Sequence, residues 1–268
     1  MKKSLIYLSL VLLSISVKAQ ELYVFSEPAS NMPANTFAPR MKAVIGKREN
    51  TSAFQRYNPE LQLGLSKKFM LHGGVTFSNM MFENVQWEGA YLYGKYRFYS
   101  SDKLHQHFRM AAFGEIGYSR NEMMNDEVSA RGDNTALDIG LIATQLKNKF
   151  AVSATTSYLK VLDKNLDEMH HETVDEAINY SLSAGYLVLP LEYTSYDQLN
   201  LNLYAEVLGQ RTFGKKSYFI DVAPAIQFIF NSNSKLNVGY RFQVAGDALR
   251  GVEKSFLVSF EHTFFNAL

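Results

Sequence analysis

Methionine and acidic residues occur together in two polar stretches of the chain, one of which also contains histidines. Thioether and imidazole groups of this kind bind copper and related soft metals. One stretch contains Met123 and Met124, and the other contains Met169, His170 and His171. Neither stretch has the spacing of a known metal motif. Methionines in loops often pack against apolar neighbours and adjacent histidines are usually solvated, so packing or solvation is the alternative to metal binding for these residues.

Ester hydrolysis is a second chemistry to consider, because a histidine beside a serine can take the serine proton. The chain has no His-x-Ser sequence, and His262 is expected on a lipid-facing surface without a serine beside it. Cysteine is absent, which excludes a thiol nucleophile, a disulfide and a thiolate metal site. We therefore expect no enzyme activity and no cofactor.

The N-terminal residues have the pattern of a cleaved secretory signal. Lys2 and Lys3 precede a short apolar run, residues 5–17, and small side chains then occupy the −3 and −1 positions before Gln20. The apolar run is shorter than the roughly 20 residues that a membrane-spanning helix needs. We therefore predict a signal peptide over residues 1–19 and a mature protein that leaves the cytoplasm.

Alternation of apolar and polar residues dominates the mature chain. In "HFRMAAFGEIGYSR", residues 107–120, every second residue from Phe108 to Tyr118 is apolar or small, whereas Arg109 and Glu115 belong to the other set. A period of two is that of a β-strand, whose successive side chains point to opposite faces. The same pattern predicts about twelve strands and no long helical run. The strands are expected near residues 37–45, 57–67, 69–79, 88–100, 107–119, 135–146, 149–160, 177–188, 199–210, 217–230, 235–245 and 254–265.

The links between the predicted strands alternate in length. Short turns are expected at residues 67–69 and 231–235, whereas the polar links at 120–134 and 161–176 are long. Short turns on one rim and long loops on the other are typical of bacterial outer-membrane barrels, with the long loops outside the cell. We therefore predict an all-β fold, a transmembrane antiparallel up-and-down β-barrel over residues 37–268.

The two faces of the predicted strands have opposite character. The apolar faces begin and end with aromatic residues, as from Phe150 to Tyr158 or from Tyr218 to Phe228. At about 3.3 Å per residue and a tilt of about 40°, this spacing spans the apolar band of an outer-membrane barrel. The opposite faces carry ionisable residues, which are predicted to line a wet lumen. These residues are Lys95, Arg97, Arg109, Glu115, Asp138, Glu206, Asp221, Arg241 and Glu261.

A soluble β-sandwich or ligand-binding barrel is the alternative to a membrane barrel, but its apolar face would point inward and its charges outward. The formal net charge is +1 with both signs spread along the chain, so no nucleic acid is expected as a partner. The expected partners are outer-membrane lipid, a small solute and the outer-membrane assembly machinery. The alternating, aromatic-ended sequence "SFLVSFEHTFF" at 255–265 is similar to the terminal signal that this machinery reads.

Five segments of the mature chain carry a family resemblance. They are "FSEPASNMPA" (25–34), "LGLSKKFMLHGGVTFSNM" (63–80), "HFRMAAFGEIGYSRN" (107–121), "SLSAGYLVLP" (181–190) and "FIFNSNSKLNVGYRFQ" (228–243). They resemble an uncharacterised family of outer-membrane β-barrel proteins from Bacteroidetes, and the resemblance covers most of the mature chain. It implies the barrel fold and a location in the bacterial outer membrane, and it transfers no catalytic or ligand-binding residues.

Several roles for such a barrel remain open. We predict an integral outer-membrane barrel that is a small-solute channel or a transport-associated protein. One predicted wall has small inward side chains, including Ser153, Thr155 and Ser183, which would leave room inside. The alternatives are a structural or surface-interaction barrel with a closed lumen, a barrel that binds metal at its outer rim, and an outer-membrane lipid hydrolase.

Two features of the predicted interior bear on these roles. Residues 20–36 contain Pro28 and Pro33 and are expected to be extended or irregular, so we predict a periplasmic N-terminal segment that is either a tail or a small plug. Acids and bases are expected to pair across strands, with Arg109, Arg97 and Glu115 close together. Mixed charges disfavour strong selectivity for anions or for cations.

Overall fold

The computed structural model describes residues 23–47, 53–123, 125–163, 174–192, 194–195 and 197–268. Over these ranges the chain forms a closed barrel of twelve β-strands, and the strands pair in antiparallel fashion around the ring. The predicted fold class is therefore confirmed. The predicted signal peptide, residues 1–19, lies outside the described residues. Within the described part of the chain, no helix has the length and apolar character needed to cross a lipid bilayer.

The strands follow chain order around the barrel, and the last strand closes on the first. The closing seam runs from Arg40 opposite Glu261 to Gly46 opposite Ser255. The strands are β1 (Thr36–Gly46), β2 (Phe54–Gly64), β3 (Phe69–Ser78), β4 (Gln86–Lys103), β5 (Gln106–Ser119), β6 (Thr135–Lys147), β7 (Phe150–Asp163), β8 (Glu176–Leu189), β9 (Asn200–Thr212), β10 (Tyr218–Phe230), β11 (Ser234–Gly246) and β12 (Lys254–His262).

The barrel is apolar outside and polar inside. In β5, Ala111 and Glu115 are buried, whereas Ile116 and Tyr118 on the other face are 51% and 52% exposed. Trp87 of β4 stacks on Tyr118 near one rim, with ring centroids 6.1 Å apart. Aromatic residues at the edge of an apolar belt are typical of barrels embedded in lipid. Other large exposed apolar side chains in this belt are Met41, Leu92, Leu141, Leu182, Phe150 and Phe256.

The two rims of the barrel differ in their connections. On one rim the turns are tight, and His105, Asn148 and Asn231 in them adopt positive φ angles of 56°, 55° and 50°. Asparagine and histidine are among the residues that enter this left-handed region most readily. Most connections on the opposite rim are longer, so we assign that rim to the outside of the cell. The first strand begins, and the last strand ends, at the tight-turn rim.

Candidate functional site in the barrel lumen

The charged residues predicted to line the lumen lie on the inner side of the wall, apart from one at a rim. Arg97 lies near the tight-turn rim, where its guanidinium donates a 2.7 Å hydrogen bond to the carbonyl oxygen of Lys67. Most of the others contact two segments of the chain that enter the lumen. The buried members are Lys95, Glu115, Glu206, Asp221 and Glu261, and the half-buried members are Arg109, Asp138 and Arg241.

Residues 23–35, which we call the N-terminal plug, lie inside the barrel. The sequence left a tail and a plug open for this segment, and its described part crosses the lumen before β1 begins. Tyr23 and Ala29 are buried, with exposed fractions of 7% and 0%. The N–H group of Ala29 donates a 2.9 Å hydrogen bond to Oγ1 of Thr144 on β6. The plug therefore fills part of the barrel lumen.

The carboxylate of Glu206 on β9 anchors the start of the plug. It accepts hydrogen bonds from the backbone N–H groups of Val24, Phe25 and Ser26, each at 2.9 Å. The hydroxyl groups of Ser26 and Ser183 donate to the same carboxylate at 2.6 Å and 3.0 Å. Three successive N–H groups form a concave donor site that suits an anion, and bonds to an ionised acceptor are strong. A single wall residue thus fixes this part of the plug.

Cationic side chains hold the second half of the plug. The Nζ atom of Lys95 donates to the carbonyl oxygens of Pro28 and Ser30 at 2.7 Å and 2.9 Å. The guanidinium of Arg109 donates a 2.8 Å hydrogen bond to the hydroxyl of Ser30. Here the wall supplies donors and the plug supplies acceptors, which is the reverse of the arrangement at Glu206.

Glu27 is a charged side chain of the plug itself. Its carboxylate lies 3.8 Å from Nζ of Lys95 and 3.7 Å from the guanidinium of Arg40 on β1. Burial favours the neutral acid, but the nearby positive charges, with Lys95 foremost, outweigh burial and lower the pKa of Glu27 from 4.5 to about 2. Glu27 is therefore ionised at neutral pH and adds charge attraction to the hydrogen bonds.

Apolar packing of the plug involves residues 23–25 and Ala29. Tyr23 packs edge-on against Tyr204 of β9, with ring centroids 5.6 Å apart. The Phe25 ring lies against Gly239 of β11, where an added Cβ would be 2.6 Å from the ring. A side chain at position 239 would therefore displace Phe25, and glycine leaves the space that the ring needs.

The small side chains of the β7–β8 wall leave room, as predicted, and the plug uses it. The hydroxyl oxygens of Ser26 and Ser183 are 2.8 Å apart. The hydroxyl oxygens of Thr144 on β6 and Ser153 on β7 are also 2.8 Å apart. The space beside this wall is thus occupied by the plug rather than open in this structure.

The β5–β6 connection, residues 120–134, which we call the constriction loop, folds into the outer half of the lumen. Nε of Arg131 in the loop donates to both carboxylate oxygens of Glu115, at 3.0 Å and 2.8 Å. Asp133 forms an ion pair with Arg56 of β2. These pairs tie the loop to β5 and to β2, which are separated by β3 and β4 in the barrel.

Glu127 of the constriction loop bonds to arginine side chains on the opposite side of the barrel. Its carboxylate accepts hydrogen bonds from Arg250 at 2.8 Å and Arg241 at 3.1 Å. Arg250 also donates to the buried carboxylate of Asp221 at 2.8 Å. Burial opposes the ionisation of Glu127, but Arg250 and Arg241 outweigh it and hold the pKa of Glu127 at about 2. The loop is therefore fastened by a network of charges rather than by one contact.

The constriction loop also packs through apolar side chains. Val128 and Ala130 are each 2% exposed. The Val128 N–H and carbonyl groups bond to the amide of Gln210 at 2.9 Å and 2.8 Å. An added Cβ on Gly117 would lie 1.7 Å from the Ala130 carbonyl oxygen, so only glycine permits this approach. The apolar cluster consists of Met123, Val128, Ala130, Ala136, Leu159, Val161, Val174 and Ala177.

The predicted proximity of Arg109, Arg97 and Glu115 is wrong as an account of how these charges pair. Arg109 bonds to Asp102 at 3.1 Å and to the plug, and Glu115 bonds to Arg131 of the constriction loop. Strand alternation indicates which face a charge occupies, but it does not reveal partners contributed by inserted segments.

The residues proposed as a metal site are only partly described by the structure. Met123 lines a cavity at the outer rim together with Met80 and Met81. Within the described residues, no group of three or more His, Cys, Asp or Glu side chains could hold a metal ion. The other predicted residues, Met124, Met169, His170 and His171, lie outside the described residues.

A serine–histidine pair lies on the outer surface near the tight-turn rim, so the expectation that no serine accompanies His262 is wrong. Oγ of Ser234 and Nδ1 of His262 are 2.7 Å apart, because the two residues are direct partners in the β11–β12 register. Oδ1 of Asn233 lies 3.0 Å from the same hydroxyl and is a second acceptor for its single proton. Hydrolysis would require the imidazole to take that proton, so Asn233 competes with His262 for it.

Solved structures with a similar fold are bacterial outer-membrane barrels. An outer-membrane channel from Pseudomonas putida F1 matches 91% of this chain and 100% of that chain, with a TM-score of 0.57 and 11% identity. The β domain of a Bordetella autotransporter matches 85% of this chain and 99% of that chain, with a TM-score of 0.48 and 11% identity. Neither a protein-family model nor a curated protein sequence matches the chain. The fold, with its apolar belt, is that of an integral bacterial outer-membrane barrel, and the resemblance to a Bacteroidetes family stays a prediction.

Proposed function

We propose that the protein is a gated channel for small hydrophilic solutes and that the N-terminal plug is its gate. The observation that carries the proposal is the way the plug is held in the lumen. Many of its hydrogen bonds and ion pairs converge on Glu206 and Lys95. Water can replace these polar contacts when the plug leaves, so the main remaining cost is the exposure of the apolar contacts of residues 23–25 and Ala29.

The attachment of the plug also suits a gate. Among the described residues, the plug continues into the barrel wall only at Thr36, where β1 begins. Movement about this point would clear the plug without breaking any pairing between strands. The constriction loop is held at both ends and would remain, so the open passage would be narrow and would admit only small solutes.

Polar groups in the interior support a hydrated passage. The hydroxyl of Tyr93 and both ring nitrogens of His72 are buried and have no hydrogen-bond partner among the described residues. Buried polar groups in proteins bond to other protein groups or to ordered water. We therefore expect water beside these side chains even with the plug in place. The mixed charges of the wall favour weak selectivity between anions and cations.

The structural similarity supports this proposal only at the level of architecture. The Pseudomonas putida protein is an outer-membrane channel, and its whole length matches this barrel. A barrel of this form can therefore enclose a conducting path. The identity of 11% transfers no residue roles, so the gate is argued from the contacts of the plug alone.

Conductance in planar lipid bilayers tests the proposal. The mature full-length protein is expected to give discrete current steps at low open probability. A variant that lacks residues 20–35 is expected to give steps that persist. Heat-dependent electrophoretic mobility would show that both proteins are folded barrels. Silence from both folded proteins would reject the channel and favour the alternative, a structural or surface-interaction barrel with a closed lumen.

A further inference from the structure

A cavity at the outer rim is lined by residues from three connections of the barrel. Its volume is about 190 Å³, and it lies where the constriction loop meets the β3–β4 and β11–β12 connections. Six of its ten lining residues are methionine or asparagine. The lining residues are Met80, Met81, Asn121, Glu122, Met123, Asn125, Glu127, Asp133, Asn134 and Gly251.

Hydrogen bonds and packing hold two of the methionines of this cavity in place. The N–H group of Met80 donates to Oγ of Ser78 at 3.1 Å and to Oε1 of Glu88 at 3.2 Å. An added Cβ on Gly251 would lie 3.0 Å from Sδ of Met80, so the β11–β12 connection closes over the thioether. Met123 is 7% exposed and packs at the edge of the apolar cluster of the constriction loop. Met80 and Met123 are thus held in the wall of the cavity by these contacts.

Two of the three acids in the lining already have cationic partners. Glu127 bonds to Arg250 and Arg241, and Asp133 pairs with Arg56. Ca²⁺ and Mg²⁺ take oxygen ligands, and carboxylates committed to arginine are poor ones. The other lining residues with possible metal ligands are the three methionines, the asparagines and Glu122, whose side chain is exposed.

We propose that this cavity binds a soft monovalent metal ion of the Cu(I) type through the thioethers of Met80, Met81 and Met123. Thioether sulfur prefers soft ions such as Cu(I) over hard ions, which prefer oxygen. The three methionines come from two different connections, so a bound ion would join the constriction loop to the β3–β4 connection. This inference is independent of the proposed channel, since the cavity lies outside the plug.

Competition for Cu(I) between the mature full-length protein and a coloured Cu(I) chelator, in detergent under reducing conditions, tests the site. Leucine keeps the volume of methionine but lacks the sulfur, so Met80→Leu and Met123→Leu should fold normally. Each substitution is expected to weaken Cu(I) binding at least about tenfold, a difference of about 1.4 kcal/mol. Met41→Leu is the matched control, because Met41 lies in the apolar belt and is 51% exposed.

Two further measurements distinguish methionine ligands from other ligands. The double variant His170→Ala/His171→Ala is expected to bind Cu(I) as the unchanged protein does, and Ca²⁺ is expected not to displace the ion. Equal affinities for Met80→Leu, Met123→Leu and Met41→Leu would overturn the proposal. Loss of binding only in the histidine variant, or displacement by Ca²⁺, would also overturn it, because the ion would then be held by other ligands.

Discussion

The N-terminal plug and the constriction loop both fill the lumen, but they are fastened in different ways. The plug presents backbone groups to a few wall side chains, chiefly Glu206 and Lys95. The constriction loop presents charged side chains, and its ion pairs are spread over β2, β5, β11 and the β11–β12 connection. The hydrogen bonds to the plug backbone are therefore concentrated at two wall residues, whereas the ion pairs of the loop are distributed over several parts of the wall.

The difference in fastening implies a difference in mobility. The constriction loop joins two strands and is held at both ends, so breaking one ion pair leaves it in the lumen. The plug joins the wall at Thr36, and its hydrogen bonds to Glu206 lie at the far end of the described segment. Weakening Glu206 should release the plug, whereas weakening any one contact of the loop should not release the loop.

The largest effect is expected from Glu206→Gln. The amide would keep one acceptor oxygen, put an NH2 group in place of the other, and remove the charge that the N–H groups of Val24, Phe25 and Ser26 solvate. Hydrogen bonds to charged groups contribute roughly 1.5–3 kcal/mol each. A loss of about 3 kcal/mol, equal to two such bonds at the lower end of this range, should raise the open probability about 100-fold, measured as current steps in planar bilayers.

Glu261→Gln is the matched control for this prediction. Glu261 is also a buried carboxylate of the wall, but its hydrogen bonds are to Lys235 and Gln62 rather than to the plug. The open probability of the Glu261→Gln variant should stay close to that of the unchanged protein. Similar gains from both variants would show that wall charge in general, and not the anchor, controls opening.

A smaller effect is expected from Lys95→Met, which keeps much of the side-chain length and removes the ammonium group. The plug would lose the donor to Pro28 and Ser30 and the neighbour of Glu27. The Glu206 anchor would remain, so the open probability should rise only about tenfold. A rise larger than that of Glu206→Gln would contradict the assignment of Glu206 as the main anchor of the plug.

Acid should weaken the docking of the plug. The pKa of Glu27 is lowered from 4.5 to about 2, so its ionised form favours the docked state. This contribution is complete above about pH 4.5 and is lost as the pH falls towards 2, while Lys95, Arg40, Arg131 and His72 face the same carboxylate. Open probability should therefore rise between pH 5 and pH 3, and the rise should be smaller in Glu27→Gln. An identical pH profile in that variant would exclude Glu27 as a contributor.

The smallest effect on opening is expected from Arg250→Gln in the network of the constriction loop. This change removes the bonds of Arg250 to Glu127 and Asp221, but Arg241 still contacts both acids. Breaking a buried ion pair costs about 3 kcal/mol, so the temperature at which the barrel unfolds in detergent should fall. The open probability should change little. A large rise in open probability with unchanged thermal stability would contradict the roles that we assign to the plug and the constriction loop.

The barrel itself could be predicted from the sequence because lipid imposes a period of two on every strand. Arg109 and Glu115 within the apolar segment 107–119 indicated a polar interior, and the structure places both on the inner side. The contents of the lumen could not be predicted in the same way. Glu206 and Val24 are 182 positions apart and meet only after β1 has closed on β12.

Register limited the prediction at the surface. Ser234 lies opposite His262 in the β11–β12 register, and a shift of one residue would place Ser234 on the other face. Strand ends estimated from alternation are uncertain by more than one residue, so the pairing of Ser234 with His262 could not be predicted. The β7–β8 wall shows the related limit that small side chains predict space without revealing what occupies it.

A reversible cross-link between plug and wall tests the central claim most directly. The hydroxyl oxygens of Ser26 and Ser183 are 2.8 Å apart, and the chain contains no cysteine, so Ser26→Cys/Ser183→Cys offers one pair of thiols. A disulfide bond is about 2.05 Å long, which small side-chain movements can reach from this distance. We predict that the oxidised variant forms the disulfide and does not conduct, and that a reductant restores current steps in the same bilayer. Equal conductance before and after reduction of a disulfide confirmed by mass would contradict a gate formed by the plug.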